Sequence, residues 1–128
     1  MAPVGRGPVV PTGGRRNVCS YMPTPYPVVR TRLDRALARR DLAAVRSAAR
    51  DLPGVVTLAD AVQVLLLMLE AGDPGFEAAA VRWIARFTSE CGGVTLGEVQ
   101  AALEALATLP GPDAQVTLTG LLRRHGLR

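Results

Sequence analysis

At 128 residues the chain has room for one domain, and the roughly 100 residues with apolar periodicity suffice to bury a core without disulfides or a metal. Hydrophobic residues make up 48% of the chain but aromatic ones only 4%, so Ala, Leu and Val must form that core, which suits closely spaced helices better than a β-sandwich. The formal net charge of +4 hides a division: residues 1–50 hold ten Arg against Asp34 and Asp41, and residues 51–122 hold Arg82 and Arg86 against nine acids.

That separation could steer an acidic partner or let two copies attract end to middle; the plainer reading is two solvated faces with screened charges. Every basic residue is Arg, the bias expected of a GC-rich bacterial coding sequence. Cys19 and Cys91 make no disulfide framework, and with no CxxC, His-rich tract or secretory leader the expected location is cytoplasmic. The longest apolar run, Val64 to Leu69, is far short of the ~20 residues that span a bilayer, so no membrane partner is expected.

Residues 1–29 carry six prolines and four glycines without periodicity and read as a disordered tail. Pro23 to Pro27 favours polyproline II, and Met22 is a candidate for the true translation start. From residue 30 the pattern is helical. Thr31 caps a helix running to about Arg40, with Leu33 and Leu37 on one face; Asp41 opens a second, striped by Leu42, Val45, Ala49 and Leu52 and stopped by Pro53-Gly54. Thr57 caps a third helix, apolar nearly all round, that Gly72 ends; such a helix must be covered on several sides, by its neighbours in this chain or in a homodimer. Asp73-Pro74 starts a fourth, to about Glu90. After Cys91-Gly92-Gly93, Thr95 caps a fifth with Leu96, Val99, Leu103 and Leu106 on its apolar face, and beyond Pro110-Gly111-Pro112, Asp113 caps a sixth, to about Arg124. The poor helix formers Val116 to Gly120 are assigned to that helix by alignment rather than by propensity.

Ala43-Ala44-Val45-Arg46 returns as Ala79-Ala80-Val81-Arg82, and Val56-Thr57-Leu58 as Val94-Thr95-Leu96. Echoes at 36 and 38 residues resemble those of stacked helical hairpins, here an α-solenoid of HEAT or armadillo type. The resemblance is architectural and carries no family motif. The expected fold class is all-α: a domain over 30–128 with antiparallel hairpins at 31–52, 57–90 and 95–125, stacked as a short solenoid or a compact six-helix bundle.

Residues for catalysis are scarce. His125 is the only histidine, no metal set surrounds it, and no nucleophile motif or phosphate-binding loop occurs, so neither an enzyme, a metal nor a cofactor is expected. Two features suggest binding instead. Phe76, Trp83 and Phe87 share one stripe of the fourth helix, which either packs as core on the preceding helix or on Tyr21 and Tyr26 of the tail, or, if exposed, has the composition of a hot spot. In the repeat alignment Arg46 matches Arg82, and Arg50 matches Arg86 and Arg124; these form either a ladder of guanidiniums suited to carboxylate or phosphate, or separate pairs with acids of adjoining helices whose stems cover apolar surface. The expected function is a non-catalytic protein-interaction module or small adaptor, with Phe76, Trp83 and Phe87 as anchors and Arg46, Arg50, Arg82 and Arg86 orienting an acidic protein partner. The alternative is a nucleic-acid-binding regulator using Arg30, Arg32, Arg35, Arg39 and Arg40; the Leu and Ala between these arginines lack the groove-reading chemistry of Asn, Gln or Ser.

Overall fold

The computed structural model describes residues 25–127, and every regular element among them is helical: α1 (Tyr26–Ala38), α2 (Leu42–Asp51), α3 (Leu58–Ala71), α4 (Phe76–Glu90), α5 (Leu96–Thr108) and α6 (Pro112–Arg124). The signals at the helix ends are mostly those the sequence carries. The Asp41 side chain accepts from the Ala44 N–H. Thr57 and Thr95 each form a capping box, with Asp60 and Glu98 returning a bond to the backbone N–H of the capping threonine. Gly72 takes the left-handed conformation that closes α3, at φ 63°.

Consecutive helices pair as three hairpins: α1 on α2, α3 on α4, α5 on α6. Contacts between hairpins run from α2 to α3 and from α4 to α5, and α6 returns to α3. Helices α3 to α6 thereby close a ring, and the α1–α2 hairpin packs against α3 from outside. Leu58, Val62, Leu65, Leu66 and Met68 of α3 enter one core with Trp83, Phe87, Leu106 and Leu118, while Leu67 enters a second with Val29, Leu33, Val45 and Val55. A helix apolar nearly all round is thus covered within this one chain.

Four expectations need correction. The helical region begins at Tyr26, not Thr31: Pro25 is extended as the N-cap, Pro27 fits the first turn where its missing N–H costs nothing, and Val29 is fully buried. The Thr31 hydroxyl donates to the Pro27 carbonyl instead of capping. Residues 25–29 therefore belong to the domain; residues 1–24 of the expected tail, with Cys19, Met22 and the start of the proline run, lie outside the described residues. Helix α4 starts at Phe76 because the Asp73 carboxylate accepts from Gly75 N–H, holding Pro74 and Gly75 in a turn. Helix α6 has Gly111 as N-cap and Pro112 in its first turn, with Asp113 just inside. Finally, α5 buries Ala102, Ala105 and Leu106, leaving Leu96 (89% exposed) and Leu103 (50%) outside. The small alanine face lets neighbouring helices approach closely, and that packing outweighs the larger leucines.

The α2/α4 echo also misplaces its residues. Val45 is 2% exposed and its counterpart Val81 is 64% exposed, so the two Ala-Ala-Val-Arg segments sit in unlike surroundings. Burial instead matches Val45, Ala48 and Leu52 with Ala80, Trp83 and Phe87, one residue away from the sequence echo. One residue on a helix is a turn of 100°, enough to carry a side chain from core to solvent.

Candidate functional site

The aromatic stripe is core. Trp83 is 2% exposed and Phe87 fully buried, their rings stacked at 5.3 Å, and Phe87 meets the His125 ring edge-on at 5.7 Å. The Trp83 Nε1–H donates to the Leu58 carbonyl at 3.0 Å, satisfying the one polar atom of the buried indole. Phe76 is half-buried against the same core. The expectation that these rings anchor a partner is therefore corrected for Trp83 and Phe87, whose area is already used to hold α4 against α3 and against His125 at the end of α6; Phe76 keeps part of its ring exposed.

The arginines of α2 and α4 are arranged otherwise. Both helices pack on α3, and between them lies a groove of about 180 Å³ whose lining includes Val56, Val64 and Leu65. Ala49, Ala61 and Ala79 line it as well, and their small side chains keep it open. Arg46 enters the rim from α2, and Arg82 and Arg86 from α4. Arg50 follows one turn after Arg46 on the exposed side of α2. The structure thus brings three of the four arginines singled out from the sequence, Arg46, Arg82 and Arg86, to an apolar floor that the sequence did not reveal, while Arg50 is on α2 but outside the groove's lining.

Two of the four are held by acids. Arg46 donates to Asp73 at 2.6 Å, and that bond, with the Gly75 N–H, holds the Asp73 carboxyl below the usual carboxylate range. Arg86 donates to Glu90 at 2.7 Å and to the Val56 carbonyl at 2.9 Å, which ties α4 to the segment before α3. Arg50 and Arg82 are exposed, with no acid partner among the described residues. Arg124 of the expected ladder is elsewhere, 3.4 Å from Glu98 at the start of α5.

The N-terminal arginines are largely engaged with acids. Arg30 of α1 pairs with both Asp34 and Asp60 and also donates to the Val55 carbonyl, joining the first hairpin to the start of α3. Burial pushes the Asp60 carboxyl up, but its bonds from Arg30 and Thr57 outweigh that and hold it below its ordinary value; Arg30 is correspondingly raised, chiefly by Asp60. Arg32 pairs with Asp51 at 2.6 Å, and Arg40 pairs with Glu70. Arg35 and Arg39 are exposed without an acid partner among the described residues. The five do not form one free cationic face.

Among the described residues, reactive groups do not assemble. His125 Nε2 lies 3.2 Å from Glu98, whose carboxyl is lowered first by the Thr95 N–H. The buried Cys91 thiol is pushed up by burial and then by Glu90 and Glu98, which disfavours the nucleophilic thiolate. Among the described residues no three His, Cys, Asp or Glu side chains are placed to hold a metal ion, and no helix is long and apolar enough to cross a membrane. The chain matches no family model, curated protein or solved structure.

Proposed function

We propose that this chain is a non-catalytic helical interaction module, working in the cytoplasm, that docks another protein across the α2–α3–α4 groove. The observation that carries the reading is the convergence of Arg46, Arg82 and Arg86 on an apolar floor between two helices that share α3 as their support. Apolar area supplies the drive for association, and guanidiniums at the edge supply orientation and partner choice. Of the sequence's aromatic anchors, Phe76 and Phe87 are not part of this surface; its apolar lining is aliphatic apart from Trp83, a ring that the core already holds.

The test is site-specific photocrosslinking in the native cytoplasm, with p-benzoylphenylalanine placed at Ala49 in the groove or at Val116, which is 71% exposed on α6. The reading expects a discrete protein adduct from position 49 and none from position 116. Identical adducts from both positions, or none from position 49, would remove the groove as the docking surface.

A further inference from the structure

Resting on the groove as the docking surface, we infer that its occupant is an acidic amphipathic helix of about three turns, inserting one aromatic or leucine side chain between α2 and α4. Length comes first. Helix α2 has ten residues, a rail of about 15 Å, which matches about three turns of a bound helix. Ala49, Ala61 and Ala79, one from each of the three helices, let a backbone come close, as helix-in-groove recognition requires. The cavity, about 180 Å³, has the capacity for a single bulky group, since a cavity of roughly 150 Å³ accommodates benzene.

Charge decides the occupant's chemistry. Arg46 and Arg50 lie on one rail, Arg82 and Arg86 on the other. Asp73 and Glu90 each engage one of them, so Arg50 and Arg82, on opposite rails, are the two without an acid partner among the described residues. A helix with carboxylates on both sides of an apolar stripe meets a guanidinium on each flank, in the bidentate geometry that arginine offers. The chain's own first 24 residues contain three Arg and no acid, so they lack the charge to fill this groove. A separate acidic protein segment has it.

The probe is a fluorescein-labelled 16-residue peptide of Glu, Ala and Leu, with apolar residues spaced i, i+3, i+4, i+7 around a central Phe. A matched peptide carries Lys for every Glu. Binding to the full chain is read by anisotropy, for the wild type and for R50E/R82E, whose two positions are exposed; far-UV circular dichroism verifies that the variant folds. The acidic peptide is expected to bind the wild type and to lose at least about tenfold in affinity to the variant, while the Lys peptide binds only the variant. Acidic and basic peptides binding alike, an R50E/R82E variant that keeps the acidic peptide, or no binding of the acidic peptide at about 1 mM would overturn the inference. Displacement by a 16-nucleotide oligo-dT at equal concentration would overturn it too, marking a general polyanion site. A native partner crosslinked at position 49 through a segment without acids would leave the docking surface standing and remove this inference alone.

Discussion

Replacing Phe87 with Ala separates a ring that holds the fold from a ring that holds a partner. The side chain is fully buried, stacked on Trp83 and edge-on to His125. An aromatic residue buries about 150–250 Å², which at about 25 cal/mol per Å² is roughly 4–6 kcal/mol as an upper bound, part of which Ala retains. Loss of the aromatic pair adds about 0.5–1.5 kcal/mol, and measured Phe-to-Ala costs in cores run about 3–5 kcal/mol. The expected destabilisation of Phe87→Ala is therefore about 3–5 kcal/mol, a large part of the ~5–15 kcal/mol that holds a domain together. Guanidinium denaturation measures it, followed both by circular dichroism and by Trp83, the chain's one tryptophan and a direct neighbour of the deleted ring. A cost below about 1 kcal/mol would refute the placement of Phe87 in the core and restore the aromatic stripe as a surface.

Acid should weaken the fold in a defined window. The carboxyls of Asp60, Asp73 and Glu98 are all held below their ordinary values in the folded chain. Their stabilisation is thus complete above the unfolded-state values near pH 4 and is lost as pH falls through the lower folded values. The denaturant midpoint should hold steady from pH 7 to 5 and drop below about pH 4, and Asp60→Asn should flatten part of that drop. A double-mutant cycle of Arg30→Gln with Asp60→Asn is expected to give a coupling of about 1–3 kcal/mol in urea titrations, because the pair is mostly buried and joins two hairpins. Gly72→Ala should cost about 1 kcal/mol in thermal melts, the price of a side chain at φ 63° in a position otherwise open. Duplex DNA at low salt should bind weakly, and replacing Arg35 and Arg39 with Gln should lower the salt slope by about two phosphates at most; a drop of about five on replacing Arg30, Arg32, Arg35, Arg39 and Arg40 together would return the nucleic-acid alternative to the front.

Helix number, type and most boundaries were legible because their signals are local. Thr57, Thr95, Asp41 and Gly72 act through bonds within four residues of themselves, so a reading of one sequence finds them. Which face of a helix turns inward is not local. Leu96 and Leu103 look like core by size, yet α5 turns its alanines inward because α4 and α6 come close enough only against small side chains. The Ala-Ala-Val-Arg echo failed for a similar reason: its match is chemical, whereas burial is set by phase around the axis, and the two copies differ by one position. Arg46, Arg82 and Arg86 nonetheless reach one groove, because a long guanidinium can bend back to an edge from which a valine at the same phase is excluded. The groove beneath them depends on the spacing of three helices and had no signature beyond scattered alanines.

Two carboxylates in this molecule have double duty. Asp60 closes the first turn of α3 and receives Arg30 from α1; Glu98 closes the first turn of α5 and receives Arg124 and His125 from the end of α6. Winding of each helix and arrival of its distant neighbour are thereby written into the same side chain. A fraying start at α3 would deprive Arg30 of its acid, and a detached first hairpin would take one bond from that start, while Leu67 further along α3 still holds the hairpin through the second core. Opening of either helix start is consequently coupled to the departure of its distant neighbour rather than independent of it.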